Sequence, residues 1–387
     1  MKITVVLVFL LFLVWACESP KEEKNYGPET LIRLDLVDSL MVNETNILTM
    51  DDYSSESEYF LLRGTQTRNL YLADKKGLIL KEFKLEKSLG GVGYRFLDKN
   101  RWVGQSWDKN FHVYTLAGQK IMEFPSIHEG FANNRVYTFR TTFTPYISNG
   151  TTKIIGEEPD SFDPGKINTN ILGSDFYSRV KTVYDYNLNS KKNRWLLTYP
   201  DTWLPFQTQQ FVGTSFPLIA FDKKTKELAI LPVIGNQLFV YDYSDSIPVL
   251  KHEVSLIHRF RPNNPPVLEK EEHLDYSDYP YFTDLRKSGN YILVGFHTRI
   301  PEGIMAQLKE KSADFQDLSA YQTAQNQFNK PYYLLIKNGK QIGILEDFPV
   351  HGSFNFMDEE GILYINDNVA PKVDRSYNIF YKLKIKE

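Results

Sequence analysis

The sequence predicts an all-β fold, a six-bladed β-propeller, on three observations. Short runs rich in Val, Ile, Leu, Tyr and Phe recur along the chain, separated by clusters of Gly, Asn, Asp and Lys, which is the pattern of strands and turns. A unit of strand, tight turn and strand repeats at a spacing of about 40 residues, the spacing of four-stranded blades. The chain ends with three strands of a last blade, and an orphan strand near the start supplies the missing fourth.

The first element is the apolar run "ITVVLVFLLFLVWA" (3–16), behind Met1 and Lys2. About 20 apolar residues are needed to span a bilayer, so the run is short for a permanent anchor and has the proportions of a secretory signal. Ala16 and Cys17 follow, and Cys17 is the chain's single cysteine. "VWAC" resembles the lipobox of bacterial lipoproteins, which implies removal of residues 1–16 and lipidation of Cys17. An ordinary signal peptide would instead leave a free thiol in an oxidising compartment with no second cysteine to pair with. Residues 17–29, beginning "CESPKEEKNY", are charged and carry a proline, as expected of a flexible tether. Their acidic residues resemble the surface-export signal of Bacteroidota lipoproteins. The expected address is the bacterial cell envelope, on the outer membrane, with surface exposure as one option.

Residues 30–387 are expected to form one propeller domain. Strand–turn–strand units read "NLYLADKKGLILKEFKL" (69–85), "FHVYTLAGQKIMEF" (111–124), "TVYDYNLNSKKNRWLLTYP" (182–200), "LFVYDYSDSIPVLKHEVSL" (238–256) and "YYLLIKNGKQIGILEDF" (332–348). Each follows a more continuously apolar strand: 58–64, 101–107, 135–143, 227–234 and 291–297. Such strands suit positions covered on both faces. "GSFNFMD" (352–358), "GILYIND" (361–367) and "NIFYKLKIK" (378–386) begin the final blade, and "TLIRLDLVD" (30–38) is expected to complete it and cover its edge. The stretched third unit leaves seven blades as the alternative count. One segment, 301–328, has a helical pattern. This arrangement resembles the six-bladed, TolB-like propellers of Bacteroidota lipoproteins. Together with the lipobox and the length, it is similar to the family called domain of unknown function 4221. The resemblance implies the fold and the envelope address, and it supplies no catalytic residues.

In a meander numbered A to D from the axis outward, the D-to-A and B-to-C connections share one rim. The expected insertions 144–179, 257–282 and 301–330, and the connection 201–216, all fall there. Long loops on a rigid scaffold are where recognition concentrates, so this rim is the expected site for a glycan, peptide or envelope-protein partner. The candidate contact residues are Trp203, Phe206, His258, His273, Tyr276, Tyr279, Tyr281 and His297. Aromatic faces suit sugars or apolar side chains, although the same rings are also suited to plugging the rim.

Chemistry is sparse. Glu271, Glu272, His273, Asp275 and Asp278 are oxygen and imidazole donors for a divalent cation, but the spacing matches no known metal motif. The alternative is a solvated acidic loop above packed tyrosines. No other cofactor is expected. His128, His258, His273, His297 and His351 lie near the same rim by strand assignment, and convergence of two or three would make a carbohydrate-active or metal-assisted enzyme, a lyase or hydrolase, the competing reading. The net charge of −3 gives no footprint for nucleic acid. "LGGVGYRF" (89–96) has the wrong spacing for a phosphate loop.

Overall fold

The computed structural model describes residues 27–85, 93–106, 110–125, 140–157, 173–181, 183–196, 199–245, 247–262, 264–269, 279–367 and 375–386. Strand β1 (Leu34–Val42) comes first and belongs to the last blade. Blade 1 contains β2 (Leu48–Ser54), β3 (Tyr59–Gly64), β4 (Leu70–Asp74) and β5 (Ile79–Phe83). Blade 2 contains β6 (Gly93–Asp98), β7 (Arg101–Gln105), β8 (Phe111–Thr115) and β9 (Lys120–Phe124). Blade 3 contains β10 (Phe143–Ser148), β11 (Thr151–Glu157), β12 (Val183–Asn187) and β13 (Lys192–Trp195). Blade 4 contains β14 (Leu218–Asp222), β15 (Glu227–Leu231), β16 (Gln237–Asp242) and β17 (Val249–Ser255). Blade 5 contains β18 (Phe282–Ser288), β19 (Tyr291–His297), β20 (Pro331–Lys337) and β21 (Lys340–Leu345). Blade 6 contains β22 (Ser353–Met357), β23 (Leu363–Asn366) and β24 (Asn378–Ile385), with β1 as its outer strand.

Six antiparallel sheets therefore form a closed ring, and their innermost strands surround the axis. Burial follows position. The inner and middle strands are almost wholly buried, as in β15 and β16, because a neighbouring blade covers each face. The outer strands β9 and β17 are largely exposed. Between blades 1 and 2, Trp102 stacks on Tyr114 at 4.1 Å and meets Tyr94 edge-on at 5.7 Å, with Phe83 tilted against it at 5.5 Å. A chain without disulfides is held by such aromatic layers, each pair adding about 0.5–1.5 kcal/mol beyond its buried area.

The expected closure is present. β1 runs antiparallel to β24 from Leu34 opposite Ile385 to Val42 opposite Asn378, with a bulge between Leu36 and Asp38. Leu40 and Val42 drop into the core between blades 6 and 1, beside Phe380, Tyr364 and Met50. The Asn378 side chain accepts from Leu48 N and donates to the carbonyls of Glu44 and Asn46, fixing the link from β1 into β2. Upstream of β1, Leu31 bridges Ile344 in parallel, and the Gln341 side chain holds Pro28 O and both backbone groups of Ile257.

Blade 3 corrects the sequence reading. Residues 135–143 were expected as an apolar strand and 144–179 as an insertion. Instead 143–148 and 151–157 pair as the blade's first two strands. The cause is the dipeptide Asn149–Gly150, both at positive φ (50° and 71°), the two-residue hairpin turn that suits the twist of its flanking strands. The insertion thus runs from 158 to 182, and residues 131–139 lie outside the described set. Against expected bounds of 257–282 and 301–330, residues 256–281 join blades 4 and 5, and 298–330 join β19 to β20.

Candidate functional site

The connections on the two rims differ sharply in length. On the A-to-B and C-to-D side they are short, and the longest is 243–248. The other rim carries 125–142, 158–182, 196–217, 256–281 and 298–330. Where described, 158–182, 196–217 and 256–281 pack on one another. Helix α1 (Asp175–Arg179) buries Phe176 and Tyr177. α2 (Leu204–Gln207) follows Trp203, which stacks on Tyr199 at 4.7 Å and meets Tyr177 edge-on at 4.9 Å. The Tyr177 hydroxyl donates to Gly213 O and accepts from Val212 N, joining the two connections. Helices α3 (Glu302–Lys311) and α4 (Ser319–Phe328) make a separate hairpin around Ile300, Met305, Leu308 and Ala324.

This packing decides the fate of the candidate contact residues. Trp203 is fully buried, and Tyr279 and Tyr281 are buried beside it in the same core. These rings are structural and offer no face to a ligand as placed, contrary to the expected contact role. Phe206 is half-buried against that core. His258 is buried within a cage of Phe260, Phe296 and Tyr332 at 4.9–5.5 Å between ring centroids, and its Nδ1 accepts from Phe260 N. Burial pushes its pKa down to about 4. His297 is exposed and bonded to Asn329 at 2.7 Å, where it fixes the helical hairpin to its strand. Phe296 faces His258, so the alternation of side chains along β19 sends His297 to the opposite face. The two histidines therefore do not share a centre. His273, Tyr276, Glu271, Glu272, Asp275 and Asp278 lie outside the described residues, as do His128 and Cys17. Among the described residues no cluster of His, Cys, Asp or Glu is arranged to hold a metal, and no helix is long and apolar enough to cross a membrane.

Among the described residues exposed on the long-connection rim, which include polar ones such as Gln207, Gln209, Gln210 and Arg259, four are large and apolar. Leu204, Ile257, Phe260 and Val267 are each 42–58% exposed. Their support is rigid. Arg261 is buried and donates to the carbonyls of Gly235 and Pro280, with its guanidinium 3.6 Å from the Phe282 ring centroid. Arg259 pairs with Glu346 at 2.5 Å, and its backbone N–H donates to Glu29.

Sequence reasoning missed a second feature, a polar cavity of about 110 Å³ on the axis. Every innermost strand contributes to its wall, from Asp52 of β2 to Met357 of β22. Three ion pairs organise it: Arg95 with Asp52 at 3.0 Å, Arg140 with Glu157 at 2.6 Å, and Arg286 with Asp284 at 2.9 Å. A signal was present. "MDDYS", "GYRF", "FRTT", "FDKK", "DLRKS" and "FMDEE" each place a charged residue in or beside an inner strand, where burial makes charge expensive unless paired.

One further grouping has the residue types of a nucleophilic triad. Ser106 Oγ is 3.1 Å from His112 Nε2, and Glu123 is 3.5 Å from Nδ1. Ser106 is 1% exposed, and its hydroxyl also reaches Asn110 O at 3.1 Å. A nucleophile must be reachable, so this set is read as a fastening between β7, β8 and β9.

Comparison with known proteins agrees on the fold. No family model matches the sequence, and no curated protein sequence does. Among solved structures, the chain is similar to a member of the domain of unknown function 4221 family from Bacteroides vulgatus ATCC 8482. That match has a TM-score of 0.64 and 14% identity, and covers 92% of this chain and 99% of the other. A protein from Bacteroides fragilis NCTC 9343, named as exported, matches with a TM-score of 0.53 and 11% identity over 92% and 96% of the two chains. The shared property is the six-bladed ring.

Proposed function

We propose that the chain is an exported, lipid-anchored binding platform that engages an envelope protein, peptide or glycan through its long-connection rim. The observation that carries this reading is the asymmetry of the two rims: the long connections share one rim, where the described parts of 158–182, 196–217 and 256–281 pack together and leave Leu204, Ile257, Phe260 and Val267 outward. Exposed apolar residues rimmed by charge mark contact surfaces, and an aromatic such as Phe260 is the type that anchors them. Because Trp203, Tyr279 and Tyr281 are buried, the described surface favours a polypeptide over a sugar.

Export is supported by the apolar leader, and by a structural neighbour named as exported. Lipidation of Cys17 would hold the platform on a membrane, since each buried CH₂ contributes about 0.8 kcal/mol. Replacing Cys17 by Ser is expected to abolish palmitate incorporation and release the chain from the membrane fraction; unchanged labelling would refute the anchor.

The test of the binding role presents panels of peptides and glycans to the purified chain, with and without EDTA, and scores both binding and product. Saturable, chelator-insensitive binding of an unchanged peptide, weakened at least tenfold by Phe260→Ser, is the expected result. Product formation would turn the reading toward an enzyme.

A further inference from the structure

The axial cavity lies apart from the rim considered above, and its wall has a chemistry of its own. Five basic residues line it (Arg95, Arg140, Arg286, Lys223 and Lys287) against four acidic ones (Asp52, Asp222, Asp358 and Glu359). The carboxylates paired with Arg140 and Arg286, those of Glu157 and Asp284, are not part of the lining. Two of the four acids are already satisfied by hydrogen-bond donors. Asp222 accepts from the backbone of Lys224, Thr225 and Gly289. Asp358 accepts from the backbone of Glu360 and Ile362 and from the Tyr364 hydroxyl. Lys287 likewise pairs with Glu227 at 2.6 Å, as Arg95 does with Asp52 and Lys223 with Glu359. Every basic residue of the wall thus has a carboxylate partner, and the capacity left open to a ligand lies in hydrogen-bond donors.

A second, independent observation concerns donors. Thr141 and Ser288 are 6% and 3% exposed and line the cavity, yet neither hydroxyl has a hydrogen-bond partner among the described residues. Arg95 Nε, also in the lining, is likewise buried without a partner. A buried polar group left unmade costs about 1–3 kcal/mol, so three around one cavity require an explanation. They come from blades 2, 3 and 5, and all three can donate. An acceptor-rich group between them satisfies all three together.

Size narrows the class. At about 110 Å³ the cavity is smaller than the ~150 Å³ space known to take benzene. That suits a carboxylate or phosphate group and excludes a sugar ring in the enclosed part. The entrance is at the short-turn rim. Lys223 and Glu359, from the turns after β14 and β22, are 37% and 34% exposed, whereas the Arg140 side chain is 3% exposed.

We propose that the axial cavity is a binding site for one small oxyanion, a carboxylate or phosphate group, which enters past Lys223 and is held by Arg95, Thr141 and Ser288 beneath the guanidiniums of Arg140 and Arg286.

The test titrates the full chain with acetate, inorganic phosphate and, as an uncharged isostere, acetamide, at matched ionic strength, following heat by calorimetry and the melting temperature. Saturable binding of acetate or phosphate, and none of acetamide, is expected. Thr141→Val with Ser288→Ala should weaken that binding at least tenfold, while the ligand-free melting temperature stays near the parent value. Should that double variant fail to fold, Lys223→Gln at the half-exposed mouth serves instead, with an expected loss of at least threefold. The acetate and phosphate arms distinguish the two sources of the oxyanion. Absence of saturable binding by both anions overturns the proposal, as does equal binding by acetamide or by the variants.

Discussion

Lys223 of blade 4 and Glu359 of blade 6 form an ion pair at 2.6 Å, joining two blades that are not neighbours in the ring. Burial works against the Lys223 charge, but Asp52 and Glu359 outweigh it and hold the ammonium above its usual range. Both side chains are about one third exposed, so solvent screens the attraction, and exposed pairs typically contribute below about 1 kcal/mol. A double-mutant cycle of Lys223→Gln and Glu359→Gln, followed by urea unfolding, is expected to give a coupling under ~1 kcal/mol. A coupling of several kcal/mol would show that this pair closes the ring rather than guarding its mouth.

Blades 3 and 4 are fastened at Asp185. Its carboxylate accepts from the hydroxyls of Tyr146 and Tyr243 at 2.8 Å each and from Arg194 at 3.1 Å, with Lys153 at 3.4 Å. Removing this acceptor leaves buried phenols unpaired. Asp185→Ala should destabilise the chain by about 3 kcal/mol in chemical denaturation, with Asp185→Asn milder. A change under ~0.5 kcal/mol would mean that the phenols find other partners.

Ring closure rests on β1. Leu40→Ala, at a fully buried site, should cost about 2–5 kcal/mol. Deleting residues 1–42 bares the edge of β24, and an unpaired edge recruits other chains. Size-exclusion chromatography of the deletion should show aggregates; a stable monomer would demonstrate that three strands complete blade 6.

His258 gives the fold a pH dependence of defined sign. Its folded pKa, about 4, lies below the ordinary value of 6.5 because burial disfavours the imidazolium, with Arg259 and Arg261 adding repulsion and Glu29 opposing them. In the window between these values the unfolded chain binds more protons, so stability falls as pH drops from 6.5 toward 4, by up to about 3 kcal/mol. His258→Gln, which keeps an acceptor for Phe260 N, should flatten that part of the profile. Identical pH profiles for the parent and variant would contradict the assignment.

The architecture was legible because strand periodicity and repeat spacing are local signals, and the orphan "TLIRLDLVD" had only one unfilled place in the ring. Blade 3 was misread because Asn149–Gly150 was taken for part of a long loop when its positive φ values make it a hairpin turn. Trp203 shows the limit for sites: a tryptophan in a polar-looking loop is expected at a surface, yet Tyr177 from another connection joins Tyr199 of its own to enclose it. The axial ion pairs escaped for the same reason. Arg140 meets Glu157 and the Ile219 carbonyl only once three strands are assembled, and no window of sequence contains that meeting.

The recognition surface is tested most directly by hydrogen–deuterium exchange of the chain alone and saturated with the strongest binder from the peptide panel. Added protection at residues 199–217 and 256–262, with the short turns 223–226 and 289–290 unchanged, is the predicted result. Protection confined to those short turns would place recognition on the opposite rim and contradict the proposed function.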